Sequence, residues 1–356
     1  MKRPTQADVA KLAGVSRAVV SYVLNDRTDG RISITPETRR RVLAAIEELG
    51  YQPDAAAQSL RLGRTRSIGV LIPDAHNPHY WQIVQGIESE AQAYGYDLFL
   101  SSTSLDPDRE LAAVRALMRG RIDGLILLLT YRGLLDPELQ MLKHTRNPLV
   151  FVGGAPRTEC CYDAVLTGLS DGATEMLRHL IGLGHRRIGL VYGVAAPELG
   201  LDRLEAYRRE LAAIGEAVDD SLVVHCTPRL EDGYRAALRL LDRGPRPTAI
   251  LAINDYLALG VLRACADRGV RVPEDVSVAG FDDIEASPYL VPALTTVRTN
   301  AEEIGRSALR LLFARMQQPD RKCQQVYVPA QLAVRGSTGP VPRAQPSEPL
   351  RTPTTV

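Results

Sequence analysis

The stretch GLSDG at residues 168–172 has the GxSxG spacing of a nucleophile elbow, in which a serine between a strand and a helix attacks an acyl group. Ser170 would be that nucleophile. No HGGG-type oxyanion loop accompanies it, and the order serine, acid, histidine points to His225, which lies in the strand-like run SLVVHC. We therefore predict no catalytic residue, and we expect Ser170 or Asp171 to cap the helix that follows.

Metal and nucleotide chemistry find no support in the sequence. His76 and His79 lie close together, but neither cysteines nor a dense group of carboxylates accompanies them. No GxGxxG or GxxxxGK[ST] string follows a strand-like run, and the five cysteines form no CxxC pair. The sequence predicts neither a metal site nor a cofactor.

A different group of side chains has the chemistry to bind a small polar molecule. These side chains follow strand-like runs and combine an arginine fork, a carboxylate, an amide and aromatic rings, which suit a polyhydroxylated ligand. The candidate effector-binding residues are His79, Tyr80, Arg203, Asn254, Phe281 and Asp282. Asp255 and Asp283, which stand next to two of them, also follow strand-like runs, and helix capping is the alternative structural role for both.

Strands that alternate with helices would bring these candidates together. From Arg66 onward, apolar strand-like runs alternate with helical patterns, and SIGVLIP and RIGLVYG open two similar halves. This alternation predicts an α/β core of two doubly wound parallel-sheet lobes. Because ligands of such sheets bind outside the carboxyl ends of the strands, we expect the candidates to meet in a cleft between the lobes.

The start of the chain has a separate, helical pattern. Residues 7–25, ADVAKLAGVSRAVVSYVLN, contain two short helical patterns on either side of a Gly-Val-Ser break. Thr5 and Asp8 have the spacing of a capping box, Ser16 can cap the second helix, and Thr35-Pro36 opens a third. The first helix should bury Val9, Ala10, Leu12 and Ala13. Two short helices around a tight turn form a helix-turn-helix, whose second helix enters the DNA major groove.

The distribution of charge supports a polyanionic partner for this all-α head. Residues 1–66 hold 12 Lys or Arg and 7 Asp or Glu, a net charge of +5, whereas the remainder of the chain carries −4. Arg17, Ala18 and Tyr22 are expected to face base edges of double-stranded DNA. Phosphate contacts are expected from Thr5, Ser16, Ser21 and Asn25. After the head, residues 53–66 predict about two helical turns, too few for a stable isolated helix.

Residues 5–66 resemble the head of the lactose-repressor and galactose-repressor family (LacI/GalR) through DVAKLAGVSRAVVSYVLN, TPETRRRVLAAIEELGY and PDAAAQSLRLGRTRSIGVLIPD. The chain up to about Thr338 resembles the periplasmic-binding-protein-like core of the same family. The resemblance implies that hinge helices of two subunits pair in the DNA minor groove, with Ala57 and Leu60 on the DNA and the leucine wedged into the central base step. It also implies effector contacts at His79, Tyr80, Arg203, Asn254 and Asp282. Thr167-Gly168 and Gly153 depart from relatives that bind common hexoses.

The expected domains follow from these patterns. They are a helix-turn-helix domain at 1–52, a hinge helix and linker at 53–66, a two-lobed effector-binding and dimerisation domain at 67–338, and a disordered tail at 339–356. Within the core we expect lobe 1 at about 67–166 and 297–324, and lobe 2 at about 167–296 and 325–338. The tail is rich in proline and has no heptads, which favours a homodimer.

The sequence therefore predicts a ligand-responsive transcriptional repressor that binds operator DNA. No run reaches the roughly 18 to 20 apolar residues of a membrane helix, and the first ten residues lack the apolar core of a signal peptide, so we expect a cytoplasmic protein without membrane contact. The alternatives are a solute-binding protein without DNA function and, less favoured, the hydrolase built on Ser170.

Overall fold

The computed structural model describes residues 4–24, 34–52, 64–119, 122–128, 148–153, 162–194 and 200–341. The chain forms two compact units, Met1–Thr65 and Arg66–Val356. Within the described ranges, no helix combines the length and the apolar character that crossing a membrane requires.

Three helices make up the described part of the first unit. They are α1 (Gln6–Ala13), α2 (Arg17–Leu24) and α3 (Pro36–Leu49). The Thr5 hydroxyl accepts the N–H of Asp8, and the Asp8 carboxylate accepts the N–H of Thr5 at 2.8 Å, which completes the predicted capping box. Gly14 ends α1 in the left-handed conformation with φ 64°, which a glycine adopts without steric cost.

The core of the first unit is apolar and local. Val9, Val20 and Val42, one from each helix, have no exposed surface. Leu12 was expected on the buried face of α1, but it is 46% exposed. At 100° per residue it lies roughly 100° around the helix from the centre of the face that Val9 and its neighbours form, so the expectation for Leu12 was wrong.

Strands and helices alternate throughout the second unit. Its first half contains β1 (Ser67–Ile72), α4 (Pro78–Ala93), β2 (Asp97–Ser102), α5 (Pro107–Arg119), β3 (Gly124–Leu128), β4 (Leu149–Val152), β5 (Asp163–Thr167) and α6 (Leu169–Gly182). Next come β6 (Ile188–Gly193), α7 (Leu201–Ala213), β7 (Val223–Cys226), α8 (Leu230–Leu241), β8 (Ala249–Ala252), α9 (Asp255–Asp267) and β9 (Ser277–Ala279). The last elements are β10 (Thr296–Arg298), α10 (Ala301–Gln317), β11 (Gln325–Val328) and β12 (Gln331–Ala333).

Two parallel sheets organise the second unit. The first has the order β11-β5-β4-β3-β1-β2, and the second has the order β7-β6-β8-β9. We call each sheet with its helices lobe 1 and lobe 2, and we call the antiparallel pair of β10 and β12 the crossover ribbon. The α/β fold class with two parallel-sheet lobes is thereby confirmed. Helix α10, which follows β10, packs on α4 and β4 in lobe 1.

The C-terminal part of the chain differs from the expected boundaries. Strand β11 pairs in parallel with β5, so residues 325–328 belong to the lobe 1 sheet and not to lobe 2. The segment from 339 was expected to be disordered, yet the Gly339 N–H donates to Ser277 Oγ at 3.0 Å and the Val341 N–H donates to the Leu183 carbonyl at 2.9 Å. Partners distant along the chain determine where β11 and residues 339–341 lie, and local composition does not indicate these partners.

Each lobe contains a close crossing of two helices at glycines. In lobe 1, a Cβ on Gly86 would overlap the carbonyl of Glu302, and a Cβ on Gly305 would overlap the carbonyl of Ile83. In lobe 2, a Cβ on Gly260 would likewise overlap the carbonyl of Leu230, which brings α8 and α9 together. Backbone therefore meets backbone in both lobes.

Candidate functional site

The predicted recognition helix presents a polar face. On α2, Arg17 and Ala18 are exposed, while Ser21 and Tyr22 are partly buried. Ser16 stands just before the helix, and its Oγ accepts the N–H of Val19 at 3.4 Å. The side chain thus caps the helix and remains at the surface.

Thr5 combines an exposed position with a structural hydrogen bond. Its hydroxyl donates to the Asp8 carboxylate at 2.7 Å within the capping box. A phosphate at this position would compete with that bond. Asn25, Ala57 and Leu60, the other predicted DNA contacts, lie outside the described residues.

The candidate effector residues follow the carboxyl ends of strands in both lobes. After β1, the Asn77 side chain accepts the N–H of His79 at 3.0 Å and starts α4, which carries His79 and Tyr80. Arg203 lies in the first turn of α7, after β6. Phe281 and Asp282 follow β9.

Asp282 is the strained and buried acid of this group. Its backbone φ of 110° is unusual for a residue other than glycine, and the residue is 6% exposed. Its Oδ1 lies 3.9 Å from His79 Nδ1 across the two lobes, which is too long for a hydrogen bond. Burial raises the pKa of Asp282 to about 7, although Arg203 and a hydrogen bond with Asn77 oppose this shift.

His79 is held neutral at physiological pH. Burial, reinforced by the charge of Arg203, lowers the pKa of His79 to about 4. Its Nδ1 atom is buried and finds no hydrogen-bond partner among the described residues. Burial likewise raises the pKa of the adjacent Tyr80 above its ordinary value. The two lobe 1 candidates, His79 and Tyr80, are therefore both uncharged.

Arg203 supplies the positive charge from lobe 2. Its Nε is buried and has no hydrogen-bond partner within the described ranges. The guanidinium carbon lies 5.8 Å from the centroid of the Phe281 ring. Phe281 itself has no exposed surface and packs in the lobe 2 core, so its ring supports the arginine from below. An aromatic ring buried in this way is not positioned to cover a sugar face.

Asn254, expected as an effector contact, caps a helix, whereas Asp255 does not cap one. Asn254 is the N-cap of α9, because its Oδ1 accepts the N–H of Leu257 at 2.8 Å. Its NH2 group is left to donate elsewhere. Asp255 is fully buried and accepts hydrogen bonds from Ser287 Oγ at 2.6 Å and Thr296 Oγ1 at 2.5 Å, so it is not a helix cap.

Asp283, Ser170 and Asp171 are also not the helix caps that were expected. The Asp283 carboxylate accepts hydrogen bonds from Arg298 and Arg335. Ser170 and Asp171 lie inside α6, whose N-cap Gly168 makes no side-chain cap, and Asp171 accepts a hydrogen bond from the Tyr327 hydroxyl instead.

An ion pair between the lobes was missed by the sequence reasoning. Arg229 Nη1 donates to both oxygens of Asp74, at 2.9 and 2.8 Å. Asp74 is 2% exposed and also contacts the His76 ring at 2.9 Å. Arg229 occupies the N-cap position of α8 without capping it. Asp74 follows a strand-like run, and an arginine stands where small polar residues are preferred, but neither signal links the two residues.

Two family models match this chain. Residues 5–54 match the bacterial regulatory proteins of the lacI family, and residues 177–338 match a periplasmic binding protein-like domain. The HTH-type transcriptional repressor PurR of Haemophilus influenzae is 32% identical over 94% of this chain and 98% of its own. The ribose operon repressor of Escherichia coli is 36% identical over 94% of this chain and 99% of its own.

Solved structures of regulators have the same fold. The lac repressor dimer bound to operator and an anti-inducer matches with a TM-score of 0.79 and 28% identity, over 95% of this chain and 100% of that one. A LacI family regulator from Enterococcus faecium with bound ribose matches with a TM-score of 0.68 and 28% identity, over 77% of this chain and 99% of that one.

Proposed function

Because the chain belongs to the lacI family of bacterial regulatory proteins, we propose that it represses transcription by binding operator DNA and that a sugar effector controls its affinity for this DNA. It is a sequence-specific DNA-binding regulator and not an enzyme, as its repressor relatives indicate. Neither the hydrolase based on Ser170 nor a solute-binding protein without DNA function is favoured. The protein acts in the cytoplasm, where its operator is located.

The effector proposal depends chiefly on buried polar atoms that lack partners. Arg203 Nε and His79 Nδ1 are unpartnered among the described residues, and both belong to the group around Asp282. An unsatisfied buried polar group costs about 1–3 kcal/mol, which ligand hydroxyls would recover. Adjacent hydroxyls that donate to a carboxylate and accept from a guanidinium are typical of sugars.

We assign the residues of this site as follows. Asp282 accepts from one sugar hydroxyl, Arg203 donates to its neighbour, and neutral His79 bonds a third. Tyr80 packs on the sugar ring, the NH2 group of Asn254 donates from lobe 2, and Phe281 supports Arg203. D-ribose is the first probe, because the ribose operon repressor is similar over nearly the whole chain and a similar regulator binds ribose. Gly153 and Gly168 add no polar side chains for a larger hexose.

The DNA contacts in this proposal lie on the head and the segment after it. Arg17, Ala18 and Tyr22 read base edges in the major groove, where an arginine pairs with guanine. Thr5, Ser16, Ser21 and Asn25 hold phosphates. Ala57 and Leu60 contact the minor groove, with the leucine as the wedge.

The repressor acts as a homodimer on a pseudo-palindromic site. A solved relative is a dimer on its operator. In lobe 2, Tyr289 is 82% exposed and Val291 is 97% exposed. Two large apolar side chains this close in sequence suit burial against a second copy. Effector binding shifts the relative angle of the two copies of lobe 1 across the dimer and with it the distance between the two hinge segments, with a typical coupling of about 1–3 kcal/mol.

Calorimetry with the full-length protein tests the effector site. D-ribose, cellobiose and adenosine are titrated into the wild type, Arg203→Ala and the control Arg208→Ala, which removes an exposed arginine from the same helix. We expect the wild type and Arg208→Ala to bind D-ribose and Arg203→Ala to lose binding. Equal binding by Arg203→Ala would contradict the site, and binding of adenosine without either sugar would contradict the sugar class.

A further inference from the structure

The crossover ribbon carries the chain between the lobes twice. Strand β10 follows lobe 2 and leads into α10, which packs in lobe 1. Strand β12 follows β11 of the lobe 1 sheet and leads back to lobe 2, where the Val278 N–H donates to the Ser337 carbonyl at 2.8 Å. A change in the angle between the lobes must therefore deform this ribbon or rotate it.

The loop that carries Asp282 is bonded to the ribbon by its main chain. The Gly280 N–H donates to the Thr295 carbonyl at 3.0 Å, and the Asp282 N–H donates to the Val297 carbonyl at 2.9 Å. These bonds fix the backbone of the loop along one strand, β10.

Asp283 extends this attachment across the ribbon. Its carboxylate accepts from Arg298 Nε at 2.7 Å and from Arg335 Nη2 at 2.6 Å, one arginine at the end of β10 and the other just after β12. The Asp283 and Arg335 side chains are 8% and 16% exposed, so water weakens this pair little. The Asp283 carbonyl also accepts from Gln82 Nε2 of α4 at 3.4 Å. Asp283 thus contacts both connections and lobe 1.

We propose that Asp283 is a positioning residue that transmits effector binding at Asp282 to the crossover ribbon. The inference rests on the proposed function, because it takes Asp282 as an effector ligand. Asp283 does not itself face the site, since both of its oxygens are occupied by arginines. A substitution that breaks these bonds should therefore spare effector binding and abolish the operator response.

Asp283→Asn is the appropriate change, and Asp163→Asn is its matched control. Asparagine keeps the shape but presents an NH2 group to one arginine, so one charge-assisted bond is replaced by two facing donors. Asp163 is also a buried carboxylate between two arginines, Arg315 and Arg321, at 2.9 and 2.8 Å. It stands at the start of β5, at the opposite ends of the strands from the effector site.

The experiment uses full-length proteins, D-ribose as the probe and an operator duplex selected from random DNA by the wild type. Calorimetry gives the affinity for D-ribose, and fluorescence anisotropy gives the operator affinity with and without saturating D-ribose. We expect the affinity of Asp283→Asn for D-ribose to lie within about threefold of the wild-type value. Saturating D-ribose should change the operator affinity of the wild type at least fivefold, the lower end of typical couplings, and should leave the operator affinity of Asp283→Asn unchanged. Asp163→Asn should keep both. A retained response in Asp283→Asn, or a loss of D-ribose binding in step with the response, would overturn the proposal.

Hydrogen exchange without ligand separates this inference from the effector proposal. We expect the Asp282 amide, bonded to Val297, to exchange at least fivefold faster in Asp283→Asn and at the wild-type rate in Asp163→Asn. If the wild type binds none of the probes, the sugar proposal fails. The exchange rate of the Asp282 amide still shows whether Asp283 holds the loop on the crossover ribbon. Unchanged protection of Asp282 in Asp283→Asn would then refute the role of Asp283.

Discussion

Replacing Asp282 by asparagine should make the protein more stable and unable to bind its effector. The carboxyl is buried, and its pKa of about 7 stands well above the ordinary pKa of 3.8 that an aspartate has in the unfolded chain. The native state therefore holds a proton that the unfolded state releases. As pH rises from about 4 to 7, this difference increasingly favours unfolding, and above pH 7 the full cost is reached.

The size of the effect follows from the two pKa values. One pKa unit corresponds to about 1.4 kcal/mol, so the shift from 3.8 to about 7 amounts to about 4 kcal/mol at pH 8 and about 2 kcal/mol at pH 5. Asp282→Asn removes the titrating group at nearly constant shape. Its free energy of unfolding should exceed that of the wild type by roughly these amounts, with the gain rising by about 1.4 kcal/mol per pH unit between pH 5 and 7.

Urea unfolding followed by circular dichroism at pH 5, 6, 7 and 8 measures this gain. Asp108→Asn, which removes an exposed carboxylate from α5, is the control and should stay within about 0.5 kcal/mol of the wild type. Burial and the charge of Asp282 raise the pKa of Asp255 to about 8, so Asp282→Asn also relieves Asp255, and the measured gain includes this coupled contribution. A gain in the free energy of unfolding that does not change with pH would refute the conclusion that the buried charge of Asp282 destabilises the wild type. Calorimetry should show no D-ribose binding by the stabilised variant.

Three further substitutions test other parts of the structure. Arg229→Ala leaves the buried Asp74 with His76 as its remaining partner among the described residues, and because the arginine is 34% exposed we expect a loss of about 1–3 kcal/mol in urea unfolding; an unchanged midpoint would contradict a stabilising role for the interlobe pair. Gly305→Ala should lower the thermal unfolding temperature by forcing two helices apart, whereas Gly182→Ala, with open space around it, should not; equal effects would contradict the close crossing. Arg17→Ala should weaken operator binding by about 1–3 kcal/mol in anisotropy titrations while D-ribose binding persists, and equal operator affinity would remove it from base readout.

The parts of the fold that the sequence predicts are those that neighbouring residues determine. The capping box of Thr5 and Asp8, the left-handed Gly14 and the Pro36 start of α3 each depend on residues within one helical turn. The alternation of strands and helices is local as well, so the parallel lobes follow from it. The pairing of β11 with the lobe 1 sheet depends on a partner strand far away in sequence, and it was placed in the wrong lobe.

The site was predictable as a set of residue types but not as a network. The strand ends name the candidates, because parallel strands finish at one edge of a sheet. The sequence contains no sign that Asp255 holds Ser287 and Thr296, or that Asp283 binds two arginines, because all four partners are distant along the chain. Helix capping was the nearest local explanation for both acids, and the folded chain uses them for tertiary contacts instead.

The close crossings at Gly86 and Gly305 in lobe 1 and at Gly260 in lobe 2 determine which parts of the second unit can move. Helices whose backbones are in direct contact resist sliding past one another, so each lobe moves as a rigid body. Movement of one lobe against the other is therefore taken up by the segments that connect them, and the crossover ribbon supplies two of these segments.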